Sequence, residues 1–420
     1  MSKRSALLVL LAVLTGLFFL ASGKTLPRAK AQISISIGAQ RVPNIAVDKS
    51  DNLFLLMAVA TQPESTHSPG SQIFFTESID GGKDWNDAPF TRNLSNTPIH
   101  GIGALNPSVA LTRNGPTRAY VVYDDDTYGL RQVSFIRSKK NTSFKKPRDL
   151  IFGGEGGFSP KVAVDASSAV NIVWGDTANF TKQVVFTRST DLGITFNEQK
   201  IISDAGGGGF SPVITIDSAG GIDVAWEDTA LAPATIMFSR SSDAGATFST
   251  PIKVSTGTGD ASEPVIAADA VGGMNIAWVD QSSGAGEMMI ARSTDSGVTF
   301  TPPVSVTTTP GADIHEPAIT TSGITTYIAY NDNTTNQVYL TRSQSNLLSF
   351  SRAVQVSSAV PSRGHAHSAS IAADHQGVLH IVWIDSSILG NDEGLLFYAN
   401  TTDGHSFSAA TEVLAFLPPV

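Results

Sequence analysis

Two sets of side chains in this sequence have the types and spacing for chemistry. His365-Ala366-His367 offers two imidazoles from one strand, and His315-Glu316 adds a third nitrogen and a carboxylate. His315, His365 and His367 together suit Zn²⁺ or another borderline metal. The second set is a recurring carboxylate. Asp125, Asp176, Asp228, Asp280, Asp332 and Asp385 each stand two residues after an aromatic, and Glu263 and Glu316 join them at loop ends. Carboxylates gathered at one mouth suit a hard cation such as Ca²⁺ or a polar ligand. Each set also has a plainer reading. Loop histidines are commonly just solvated, and an Asp followed by Thr, Asn or Ser ends a strand through an Asx-type bond. Neither reading requires a cofactor; Ca and Zn are the ions these residues suit.

The elements that position these residues are repeats. Proline stands at Pro160, Pro212, Pro264 and Pro317, at intervals of 52, 52 and 53 residues. Pro43 and Pro107 mark two earlier copies, and Ala369 holds the place in a last one, which gives repeats starting near 43, 107, 160, 212, 264, 317 and 369. Each copy contains four short runs rich in β-branched and aromatic residues, bounded by Asp and Gly, the signature of strands and turns. A period of this length marks a propeller or solenoid, in which each unit buries its apolar face only against its neighbours.

The third run of each copy leads into a turn motif. It reads Ser-Thr-Asp191-Leu-Gly193-Ile-Thr-Phe196, Ser-Ser-Asp243-Ala-Gly245-Ala-Thr-Phe248 and Ser-Thr-Asp295-Ser-Gly297-Val-Thr-Phe300. Variants run from Ser78 through Asp80 to Trp85 and from Thr402 through Asp403 to Phe407, and two copies are degenerate. Asp accepts backbone N–H bonds within such a turn, Gly takes the positive φ, and the aromatic returns to the blade core. From Arg41 to about Phe416 the chain resembles the Asp-box, or BNR, repeat family typified by sialidases. The resemblance implies an all-β, seven-bladed β-propeller of four-stranded antiparallel blades, with the six blades of the sialidases as the alternative. It makes Asp80, Asp191, Asp243, Asp295 and Asp403 structural. Arg137, Arg188, Arg240, Arg292 and Arg342, just before the boxes, are structural by the same logic. Either Ile33–Ile37 or Glu412–Phe416 supplies the strand that closes the ring.

Connections between second and third strands, and from each blade to the next, share one face, here the upper face; the boxes lie on the lower. Arg41-Val42-Pro43 resembles the family's Arg-Ile-Pro motif, whose arginine binds the sialic acid carboxylate. The family's clamp needs two further arginines, and Arg363 and Arg131 are the upper-face arginines available. The first-blade loop Thr61–Ser71 contains Glu64 and His67 but no Asp, so the family's catalytic carboxylate is missing there. His67 and His100 join His315, His365 and His367 on the upper face.

Composition narrows the setting. With 41% hydrophobic residues the chain can build a large core, and with no cysteine it has no disulfide framework. The net charge of −9 disfavours nucleic acid and anionic membrane surfaces as partners. Residues 1–31 have a basic start and an apolar run from Ala6 to Leu20, read as a signal peptide cut before Gln32 or as an N-terminal anchor. Residues 32–420 then form a single propeller domain that is secreted, periplasmic or displayed at the cell surface, and monomeric. The parts add up to a protein that binds an extracellular glycan, peptide or small ligand without full sialidase machinery. The alternatives are an exo-sialidase and a metal-dependent hydrolase or lyase using the upper-face histidines.

Overall fold

A computed structural model describes residues 35–36, 43–61, 70–85, 92–96, 103–126, 131–139, 143–150, 156–177, 181–204, 207–307, 311–344, 349–357, 365–386 and 393–413. They form seven antiparallel sheets in sequence order, so the seven-bladed expectation holds and the six-bladed alternative does not. Blade 4 is typical, with strands Gly209–Ile216, Ile222–Asp228, Thr235–Ser241 and Ile252–Lys253. Among the described residues no helix is long and apolar enough to cross a membrane. The apolar run of residues 6–20 lies outside them.

Burial occurs between blades rather than within them. Each face of a blade alternates toward one neighbour, and seven apolar clusters form, one at each blade–blade junction. Trp174, Trp226, Trp278 and Trp383 on the second strands are fully buried. At ~25 cal/mol per Å² these large rings are among the strongest contributors to holding adjacent blades together.

Both chain ends hold blade 7. Its third strand, Glu393–Thr401, pairs at Gly394 with Ile35 and farther along at Phe397 with Glu412. The sequence left this choice open; each terminal segment takes a different stretch of the same edge. The closure is reinforced where Ser370 of blade 7 accepts the Ile45 N–H of blade 1 at 3.3 Å. Tyr398 donates to the Gly81 carbonyl at 2.9 Å, and its ring meets Trp85 edge-on.

From blade 2 to blade 6 the recurrent proline lies within its strand. Pro107, Pro160, Pro212, Pro264 and Pro317 lie within the β-bulge that interrupts the register of the innermost strand, a bulge that blade 7 shares at Ala369. The preceding residues, Asn106, Ser159, Ser211, Glu263, Glu316 and Ser368, all have φ between 45° and 54°. A left-handed non-glycine residue costs about 1–3 kcal/mol unless its surroundings require it. Here the bulge takes one amide out of the ladder and turns it toward the upper mouth.

Candidate functional site: a cleft across blades 5, 6 and 7

The bulges of the later blades are tied by carboxylates. Glu263 on blade 5 accepts the Glu316 N–H of blade 6 at 2.6 Å, and Glu316 accepts the Ser368 N–H of blade 7 at 2.7 Å and its hydroxyl at 3.0 Å. One step back, the Glu263 amide donates to Glu227 of blade 4. Each acid therefore serves as the acceptor for the next blade's displaced amide, and a run of carboxylates borders the mouth.

Beside this run lies a cleft of about 350 Å³ lined by Glu263, His315, Glu316, Asn331, Asn333, Asn336, His365 and His367. His315 stands at its centre. Its Nδ1 lies 3.2 Å from Glu263 Oε1 and its Nε2 3.2 Å from Asp313 Oδ1. Burial works against the charged imidazole, but the hydrogen bonds and charges of Glu263 and Asp313 outweigh it and raise the His315 pKa. His367 behaves oppositely: burial depresses its pKa despite Glu316 and Asp385 nearby, and its Nδ1 lies 2.8 Å from the Ser368 hydroxyl. His365 is exposed.

Asn331 completes the wall. It is 6% exposed, its Nδ2 donates to Asn333 at 2.7 Å, and its Oδ1 has no hydrogen-bond partner. A buried acceptor left unmade costs about 1–3 kcal/mol.

The structure therefore brings His315, Glu316, His365 and His367 to one cleft, as the spacing suggested, but not around a metal. Among the described residues no three His, Asp or Glu side chains are arranged to hold a metal ion. Two of the imidazoles already face carboxylate and hydroxyl partners.

The recurring aspartates are buried strand ends rather than an open mouth. Asp228, Asp280 and Asp332 accept the N–H two residues on, from Ala230, Ser282 and Thr334, each at 2.9 Å. Asp176 lies 3.2 Å from the Trp174 indole nitrogen, and Asp125 and Asp385 are equally buried. Arg131 is committed to Asp124 at 3.3 Å. Arg41, Arg363, His67 and His100 lie outside the described residues.

On the lower face the boxes are closed turns. Asp243 accepts the Thr247 N–H at 2.8 Å, the Thr247 hydroxyl at 2.6 Å and the Ser241 hydroxyl at 2.8 Å. These bonds, that of the Thr247 hydroxyl foremost, hold its pKa down at about 2. Asp80, Asp191, Asp295 and Asp403 make corresponding bonds. Leu192, Ala244 and Ser296 are left-handed as well as the glycines that follow them. The box aromatic packs across the junction onto the preceding blade: Phe196 on Phe135, Phe248 on Phe186 and Phe300 on Phe238, with centroids 4.9 to 5.2 Å apart. Of the arginines before the boxes, Arg188 binds within its blade, to Asp165 and Asn171, both at 2.6 Å, whereas Arg137 reaches the Leu192 carbonyl of the next blade at 3.0 Å.

Sequence reasoning missed Asn331, Asn333 and Asp313. Asn331 was visible only as the spacer in Tyr330-Asn331-Asp332, where other blades carry Gly175, Val279 and Ile384.

Compared with protein-family profiles and with curated protein sequences, the chain matches none. Solved structures do match. A polysaccharide lyase of family PL25, an ulvan lyase, superposes with a TM-score of 0.60 at 11% identity over 91% of this chain and 96% of that one. A protein of unknown function from Dyadobacter fermentans gives 0.51 at 14% identity over 72% and 94%. A variant of the NanB sialidase from Streptococcus pneumoniae gives 0.50 at 13% over 93% and 72%. The chain shares a β-propeller fold with these structures. At these identities the likeness extends to the fold alone, and function has to be argued from the cleft.

Proposed function

We propose that the protein is an exported glycan-binding propeller that holds a saccharide in the cleft across blades 5, 6 and 7 through the sugar's hydroxyl donors. The observation that carries this reading is the wall of acceptor-bearing side chains: Glu263, Glu316 and Asn331 line one cavity. Among its described lining residues there is no Lys or Arg. Such a surface favours uncharged or cationic, donor-rich ligands and repels the carboxylate of a sialic acid or a uronic acid. Solved propellers of the same fold include an ulvan lyase and a sialidase, which supports a saccharide as the ligand class. Turnover is not part of the reading. Glu263 and Glu316 both accept backbone amides, so they serve as anchors of the blades rather than as an acid and nucleophile pair.

A second reading, a lyase, draws on His367, whose depressed pKa leaves a neutral imidazole suited to proton abstraction. One panel separates the two. Mature protein is screened against immobilised neutral, sialylated and uronate-bearing oligosaccharides, and the same sugars are assayed for cleavage. Binding to a neutral glycan without cleavage is expected. Cleavage of a uronate-bearing chain, lost in His367→Ala, would replace binding with the lyase. Release of sialic acid would restore the sialidase.

A further inference from the structure

The cleft holds more negative charge than its surroundings balance. Glu263 and Asp313 face the single imidazole of His315, and among the described residues Glu316 forms no ion pair with a Lys or Arg. The groups turned toward His315 are Glu263 from the blade 5 inner strand, Asp313 and Glu316 from its own segment, Asn331 from the adjacent strand, and His365 and His367 from blade 7. Among them the imidazole in contact with two carboxylates is His315, while burial disfavours the charged form of His367.

An imidazolium between two carboxylates occupies the place that a ligand's cation would take. Asn331 adds an independent sign of a missing donor, a nine-tenths-buried side chain whose oxygen has no partner. A hydroxyl alone satisfies that oxygen but leaves the charge unbalanced. An ammonium next to a hydroxyl answers both requirements.

We infer that the saccharide taken by this cleft carries a protonated amine, an amino sugar, and that its ammonium competes with His315 for Glu263 while also meeting Glu316, so that binding expels a proton from the imidazole. This inference rests on the glycan reading of the cleft and adds to it the charge of the sugar. The linkage is reciprocal: a cation that weakens the hold of Glu263 on the imidazolium lowers proton affinity at His315, and each proton lost there strengthens the sugar's contact.

The test is calorimetry near pH 6, where both the amine and His315 are charged, with three tetrasaccharide probes. These are a glucosamine tetramer, its N-acetylated counterpart and a glucuronate-bearing chain of equal length. The amine form is expected to bind about tenfold tighter than the N-acetylated form, the size of one charge-assisted contact. Titrations in two buffers of different ionisation heat should show proton release with the amine form, and none in His315→Gln. Glu263→Gln with Glu316→Gln keeps acceptors for the Glu316 and Ser368 amides, so the fold is retained, and the amine preference should shrink to about twofold or less.

Equal binding of the two neutral-backbone probes with no proton release would overturn the amine inference and leave the glycan reading standing. Binding of neither would overturn both. Tighter binding of the glucuronate chain would overturn the amine inference.

Discussion

The Glu316 carboxylate, on the sixth blade, accepts the backbone N–H of Ser368, on the seventh, at 2.7 Å. Ser368 has a φ of 54°, so the same acceptor that stitches two blades also holds a residue in a conformation it would otherwise avoid. Glu263 does the same for Glu316, whose φ is 51°. The cleft is built from this pairing, because the bulge aims each carboxylate across the junction and leaves its outer edge facing the mouth.

Removal of the acceptor should therefore cost stability. In Glu316→Ala the Ser368 amide and hydroxyl lose a shared partner, and a loss of about 1–3 kcal/mol is expected. Glu316→Gln keeps an acceptor and should lose less than half as much. Chemical denaturation of the two variants checks this; equal losses would show that the charge, rather than the acceptor, matters.

A second prediction concerns pH. Arg240 is shared by Asp217 at 2.5 Å and Asp223 at 2.7 Å, whereas Arg188 and Arg292 each have Asn, Asn171 and Asn275, in the place of Asp223. Burial pushes the Asp223 pKa up from 3.8 to about 7, opposed by Arg240 and reinforced by Asp217. A raised folded-state pKa gives stability that is complete below the unfolded value and is lost as pH rises to the folded one. The window thus runs from about pH 4 to about pH 7. Asp223→Asn should abolish that slope, leaving Tm little changed at pH 4 and raising it by about 2 °C or more at pH 8. Thermal melts across this range decide it, and a parallel pH profile in wild type and variant would exclude Asp223 as the source.

The lower-face turns are a separate matter of fit. Gly245 has a φ of 82°, and a Cβ there would lie 2.6 Å from the Phe186 ring of the preceding blade. Gly245→Ala should lower stability by about 1–3 kcal/mol through strain and overpacking, with glycan binding unchanged in the folded fraction. A variant that keeps its melting temperature yet loses binding would move the ligand site to the lower face.

The parts of this fold that repeat were legible in the sequence. The 52-residue interval, the aromatic two residues before Asp, and the Ser-x-Asp-x-Gly turns determined seven blades, because a feature present in most copies identifies itself by recurrence. The same recurrence hid the cleft. Asn331 occurs once at its place, and Asp313 recurs only as Asp260, which accepts the Ala234 N–H as Asp313 accepts that of Gly286; nothing in a single chain separates such polar residues from solvated ones. The left-handed residues before proline escaped for a different reason. Glu, Ser and Asn share no obvious signal for φ above zero, and a residue preceding proline is expected to be extended. The inter-blade placement of Phe196, Phe248 and Phe300 also needed coordinates, since periodicity identifies a buried aromatic without saying which blade receives it.

The most direct test of the account is a crystal structure of the mature protein grown or soaked with a neutral or amine-bearing oligosaccharide that binds in solution. The account predicts sugar density between blades 5, 6 and 7, with a hydroxyl donor within hydrogen-bond distance of Asn331 Oδ1 and at least one contact to Glu263 or Glu316. Density at the lower-face boxes, or on the upper face of blades 1 to 3 with the cleft empty, would contradict it.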